Sequence, residues 1–277
     1  MTQLRPEVSP GKVFEYRVRA VNGASHSENK IHEDSIARQY GFRGGLVPGV
    51  TDYAYMTRPA LDAFGPEWLE RGAMNARFVK PLYDGELVTC RATVGDSGDL
   101  ALEALNEQGE LCAPGAASLP DRAPAAPAIA DFPWREMPAA DARPLADEQS
   151  LAVGTVLGSV DREFNLEAAA ALTVEVPDDH PLYQDGAVAH PGFLIRFANE
   201  VLHRSVRMGP WIHTASQTQH FSLVRPGDQL STRGRVLELF ERKGHRYVVL
   251  DVATFANGER PVQRVRHTSI YQLRSPE

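Results

Sequence analysis

The strongest constraint on the fold of this chain is that one order of elements occurs twice. In the first half Pro48-Gly49 opens a helical pattern, Gly65-Pro66-Glu67-Trp68 follows it, and Arg77 to Glu86 reads as a strand, a turn and the start of another strand. In the second half Pro191-Gly192 opens a helix with Phe193, Leu194, Phe197, Val201 and Leu202 on one stripe. Gly209-Pro210-Trp211 then answers the first Gly-Pro pair, and His220 to Asp228 answers the Arg77 segment. A 3.6-residue apolar period marks a helix with one buried face. Proline in a first helical turn is harmless, because that N–H has no intrahelical acceptor. Strand-like runs follow in both halves, at 87–94 and 100–105, and at 230–240, 245–255 and 262–273. Self-similarity on this scale marks two structural units of one kind. A chain of 277 residues exceeds one ordinary domain, and helices mixed with runs of strands make each unit α+β.

Ahead of the first long helix, Val13 to Arg19 alternates with Phe14, Tyr16 and Val18 on one face, as a half-buried strand does. Asn22-Gly23 breaks it, and Asp34 to Tyr40 fits a short helix closed by Gly41. Pro59 is expected to end or kink the first long helix. From about Ala113 to Asp147 the chain is dense in Pro and Ala with few aliphatic residues. Such a stretch cannot bury much apolar surface, so a linker over the surface is expected, pinned by Trp134 with Phe132. The chain thus divides into a first unit 1–112, a linker 113–150 and a second unit 151–277.

With 43% hydrophobic and 23% charged residues the composition is that of a soluble globular protein. A net charge of −7 argues against a nucleic-acid partner. Two cysteines, Cys90 and Cys112, cannot build a disulfide framework or a multi-cysteine zinc site, so buried inert thiols in a reducing cytoplasm are expected. His190, His213 and His220 lack the short spacings of metal ligands and read as core or surface histidines, so no metal is expected. The N-terminal Met-Thr-Gln-Leu-Arg-Pro-Glu has no apolar stretch behind its arginine, and no run of 18 apolar residues occurs. These features predict a cytoplasmic protein without membrane insertion.

The residues that can carry chemistry gather in Ser27-Glu28-Asn29-Lys30-Ile31-His32 and in Gly41-Phe42-Arg43-Gly44-Gly45-Leu46-Val47-Pro48-Gly49. Imidazole titrates near neutrality and can move protons at physiological pH. The first amides of a helix lack intrahelical partners and carry partial positive charge, so they can stabilise an oxyanion. A loop histidine alone is more often a surface or capping residue. Here it comes with a spaced set of matches. Asn29, Ile31 and His32, then Gly41, Phe42 and Gly44, then Pro48-Gly49, then Phe78, Pro81, Gly85 and Glu86 resemble the signature of the MaoC-like hydratase/dehydratase family of the hotdog fold. The match spans residues 27 to 86, with a weaker echo in 176 to 230.

The resemblance implies a double hotdog, two central helices each wrapped by an antiparallel β-sheet, the halves pairing as a pseudo-dimer. It implies reversible hydration of an enoyl thioester to the 3R-hydroxyacyl thioester, on coenzyme A or an acyl carrier, in fatty-acid metabolism. It implies no cofactor beyond the coenzyme A of the substrate, and a homodimer of such chains. In this family pattern His32 is the acid/base and the Gly49 N–H the oxyanion donor. The chain departs from the pattern where the family's catalytic Asp is expected, at Ser27, and where Lys30 replaces its Pro. Glu28 or Asn29 is then expected to orient the water. Arg43 and Lys80 are candidates for coenzyme A phosphates and Val47 and Pro48 for contacts with the substrate, while Trp68 and Trp211 are expected either to pack at the end of the central helix or to line the acyl pocket. In the second half Asp178 and Tyr183 fall on the Asp and His positions, so that site is expected to be degenerate. Two alternatives stand beside the hydratase: a non-catalytic acyl-thioester binding or partner protein, and a hotdog thioesterase.

Overall fold

Alternating strands and two long apolar helices assemble as one sheet with helices laid across it. The computed structural model describes residues 9–274, and the N-terminal stretch read for a leader lies outside them. The first half comprises β1 (Val13–Arg19), α1 (Asp34–Gln39), α2 (Gly49–Phe64), α3 (Trp68–Arg71), β2 (Ala73–Arg77), β3 (Leu87–Val94), β4 (Leu100–Leu105) and β5 (Leu111–Ser118). The second comprises β6 (Val160–Glu163), α4 (Leu166–Glu175), α5 (Pro191–Ser205), β7 (Ile212–His220), β8 (Gln229–Arg242), β9 (His245–Ala256) and β10 (Arg260–Gln272). The strands form a ten-stranded sheet in the order β1-β3-β4-β5-β2-β7-β10-β9-β8-β6. From either edge inward the two halves have one topology, β1-β3-β4-β5-β2 and β6-β8-β9-β10-β7. They join where β2 pairs antiparallel with β7, Ala73 opposite Gln219 and Arg77 opposite Ala215.

The sequence explains most of these elements. Val18 is buried on the inner face of β1 and Phe14 and Tyr16 pack against the core. The stripe of α5 is buried as the period requires, from Leu194 and Phe197 to Val201 and Leu202. A Cβ added to Gly192 would lie 2.6 Å from the Ala54 side chain, so α5 meets α2 at this glycine. Contacts this close need a residue without a side chain. Tyr55 on α2 donates its hydroxyl to the Glu175 carbonyl at 2.9 Å and accepts from the Val21 amide at 3.0 Å, tying both halves to one side chain.

Three expectations need correction. The helix does not stop at Pro59; α2 runs through it to Phe64, and Pro59 is buried in the core, where packing outweighs one absent N–H donor. The linker begins later than residue 113, because β5 continues to Ser118 and Gly115 pairs with Ala76. Of the two aromatic pins, Phe132 is buried against Phe255, whereas Trp134 is 53% exposed and only its Nε1 is held, donating to Asp161 at 3.0 Å. Cys90 and Cys112 are free and buried, and burial pushes the Cys112 thiol up to about 11. Among the described residues, no helix is long and apolar enough to cross a membrane, and no group of three or more His, Cys, Asp or Glu is placed to hold a metal.

Candidate functional site

The loop before α1 is built around the Asn29 side chain. Its Oδ1 caps the turn that carries His32, accepting from the Ile31 amide at 3.4 Å, and also accepts from the Trp211 amide at 3.1 Å. Its Nδ2 donates to the Trp211 carbonyl at 2.9 Å and approaches His32 Nε2 at 3.2 Å. The first-half loop is therefore fixed by the strand approach of the second half. On its other side the His32 ring meets the Leu46 carbonyl through Nδ1 at 2.7 Å. A carbonyl only accepts, so Nδ1 carries the hydrogen and Nε2 the lone pair. Burial lowers the His32 pKa, opposed by the Leu46 hydrogen bond, so the ring is a neutral base at pH 7.

The start of α2 lies alongside. Pro48 is its N-cap and no side chain caps it, which leaves the first amides, Gly49 among them, free of side-chain acceptors. The equivalent place in the second half is filled. There His190 Nδ1 accepts from the Gly192 amide at 2.9 Å, and His190 Nε2 faces Asp178 Oδ2 at 3.3 Å. Arg58 of α2 reaches the other Asp178 oxygen at 2.6 Å. Burial alone would raise the Asp178 pKa, but the His190 and Arg58 contacts hold it below the usual carboxylate range. The partner of Asp178 is thus His190, not Tyr183, whose hydroxyl is buried without a partner and whose ring packs on His190 at 4.5 Å.

Two cavities share His32 as a wall. One, of about 350 Å³, is lined by Ser27, Glu28, Asn29, His32, Pro48, Val50 and Thr51 from the first half, facing Arg143, Asn199, His203 and Trp211. The other, of about 380 Å³, holds Val47, Gly49, Asp52, Phe78 and Lys80 opposite Ile212 and His213. Of the residues read from the sequence, Ser27, Glu28, Asn29 and Pro48 line the first cavity, Val47, Gly49 and Lys80 the second, and His32 both. Ser27 lies at the first cavity and gives its hydroxyl to the Asn29 carbonyl at 3.3 Å. Glu28, at the first cavity, is 72% exposed, and its carboxylate pairs with Arg143 of the linker at 3.0 Å. Lys80 pairs with Glu110 at 2.8 Å. Arg43 lines neither cavity, bonds to Glu86 and lies over the Tyr83 ring at 4.0 Å. Trp68, the first residue of α3, is fully buried, edge-on to His220 at 5.0 Å, and also lines neither cavity.

Sequence reasoning missed Asp52 and His213. Asp52 had a signal, since residues three apart share a helix face and Asp52 follows Gly49 by three. It is buried, and burial with the nearby Glu86 charge raises its pKa well above the carboxylate range. His213 had none, because it reaches Gly49 only through the pairing of β7 with β2, which Phe78 extends by donating to the Thr214 carbonyl at 2.8 Å. Burial, then the neighbouring His267, lowers its pKa well below the imidazole range.

No family model matches the chain, and no curated protein matches it. Solved structures do. A Chloroflexus aurantiacus MaoC domain protein named as a dehydratase aligns with a TM-score of 0.66 at 10% identity, over 96% of each chain. A conserved hypothetical protein of Mycobacterium tuberculosis, described as a double hotdog, aligns with a TM-score of 0.64 at 17% identity, over 95% of this chain and 96% of that one. A Lactobacillus plantarum protein assigned as an oleoyl thioesterase aligns with a TM-score of 0.54 at 11% identity, over 96% of this chain and 99% of that one. Over almost its whole length, the chain has the double hotdog fold of MaoC-like dehydratases.

Proposed function

We propose that the chain hydrates enoyl thioesters, or dehydrates 3-hydroxyacyl thioesters, at the His32 and Gly49 site of its first half. One observation carries this reading. A neutral imidazole and an uncapped helix start line one cavity here, whereas in the second half the corresponding amide is occupied by His190. Hydration needs a base for the water, a proton for C2 and a donor for the thioester oxygen. As the water oxygen bonds to C3, His32 Nε2 takes a water proton and the C2–C3 electron pair moves onto the thioester oxygen. The Gly49 N–H, at the positive end of α2, stabilises that enolate. The imidazolium then returns the proton to C2. Asn29 keeps the ring in plane and, at 3.2 Å, gives only a long contact to the lone pair that the water must use.

The test is loss of the enoyl-thioester absorbance on mixing with 2-enoyl coenzyme A substrates. His32→Ala is expected to lower the rate about 10²- to 10⁴-fold. Hydration at the parent rate in that variant would rule out the role given to His32. Thioester hydrolysis is the second reading, because the same amide would serve a tetrahedral oxyanion and the Lactobacillus plantarum protein shares the fold. Release of free thiol from a saturated acyl thioester, with the enoyl band left unchanged, would favour it.

A further inference from the structure

The second cavity contains two buried polar atoms that nothing in the fold satisfies. His213 is 4% exposed, and its Nε2 lies 3.2 Å from the Ala215 carbonyl and 2.9 Å from the Ser216 hydroxyl. The carbonyl only accepts, so Nε2 carries the hydrogen and Nδ1 presents a lone pair. That Nδ1 has no hydrogen-bond partner, and it stands 3.0 Å from where a Cβ on Gly49 would lie. The ring is fixed from behind. Ser216 Oγ meets His267 Nδ1 at 3.1 Å, His267 Nε2 meets Asn199 Oδ1 at 2.8 Å, and the two imidazoles stack at 4.1 Å.

Asp52 is 3% exposed and its Oδ1 also has no partner. A carboxyl buried beside another acid is retained as the neutral form, which offers an O–H. Gly49 and Asp52 share a face of α2, so this donor lies about one helical turn from the His213 lone pair. The apolar walls are Leu46, Val47, Phe78, Ile212 and Ile270, and Arg77, Lys80 and Arg242 also line the cavity. A hydrocarbon chain laid there would leave both polar atoms unsatisfied, and sites built to hydrogen-bond a hydroxyl discriminate strongly against analogues that lack it. A hydroxyl can donate to His213 and accept from Asp52 at once.

Resting on the reading of this cavity as an acyl-thioester site, we infer that His213 and Asp52 receive a hydroxyl carried by the acyl group beyond C3, so that the substrate class is acyl thioesters hydroxylated further along the chain rather than ones with a plain hydrocarbon tail. Calorimetric affinities would test this on the intact protein, with coenzyme A analogues in which CH₂ replaces the thioester sulfur, so that hydrolysis cannot intervene. The series is butyryl, 4-hydroxybutyryl, hexanoyl and 6-hydroxyhexanoyl. At least one hydroxylated member is expected to bind about tenfold or more tighter than its plain parent. His213→Phe and Asp52→Leu are each expected to bring the hydroxyl preference below about threefold while plain chains still bind. Plain chains binding as tightly as hydroxylated ones to the parent protein would overturn the inference without any variant, as would a preference that survives both substitutions. Binding of none of the analogues would overturn the acyl-thioester reading itself, and this inference with it.

Discussion

Asn29 shows how much one side chain can hold. It caps the turn under His32, pairs both backbone groups of Trp211 and contacts the imidazole. Removing it leaves the buried Trp211 N–H and C=O without partners, at about 1–3 kcal/mol each. Asn29→Ala is therefore expected to lose about 2–4 kcal/mol in urea unfolding, well above the cost of His32→Ala. Equal losses for the two variants would show that the asparagine is not the anchor. His32, Asn29 and Gly49 were legible in the sequence because their chemistry is local, a cap, a ring and a helix start within 21 residues. The ion pair of Glu28 was not legible, for the converse reason. Only the three-dimensional path of the linker brings Arg143 to it.

At the scale of elements the two helix starts are alike in sequence and opposite in state. Both begin Pro-Gly, but α2 is uncapped while α5 is closed by the residue before its proline, His190. Gly192 is also the point of helix contact. Gly192→Ala would drive a Cβ to 2.6 Å from Ala54 and 3.0 Å from His190 Nδ1, so a loss of about 1–3 kcal/mol in thermal or urea unfolding is expected. A variant as stable as the parent would mean that the helices can part here without cost. Strands β1, β3 and β4 could be read to the residue from their alternation, and β8 to β10 nearly so. Other elements escaped, β5, β6 and β7 among them, which the sequence reading does not assign as strands. The alanine-rich α4 has helix propensity but no apolar stripe, with Leu172 its one buried residue. Pro59 reads as a breaker, yet core packing holds the helix through it.

For the molecule as a whole, burial of histidines makes acid the natural denaturant. His213, His220 and His267 are all buried and held neutral, His220 down to about 4 and His267 to about 3. A folded pKa below the unfolded value of about 6.5 means that the unfolded chain takes up the proton first. The stability these groups contribute is complete above about pH 6.5 and is lost as pH falls through that value toward the folded ones. Each contributes a slope of up to about 1.4 kcal/mol per pH unit in that window. Asp52 acts in the other sense. Its folded pKa is raised, so the folded chain holds the extra proton and acidification favours it, which offsets part of the histidine contribution. Urea unfolding between about pH 6 and pH 5 is therefore expected to lose about 2–3 kcal/mol per pH unit. A flat profile would mean that these rings are protonated in the folded state.

The seam between β2 and β7 has one more consequence. Two identical subunits joined at such a seam would be bound by symmetry to carry the same residue at equivalent places. Here both copies lie on one chain, and that obligation is gone. His190 can stopper one helix start while the other stays open, because nothing forces the two positions to agree. Trp211, Ile212 and His213 belong to the half with the closed start, yet they wall the site of the half with the open one. A fragment ending at Ser118 would keep His32 and Gly49 and lose one side of their chamber, so the division of labour ties each half to the other in every molecule.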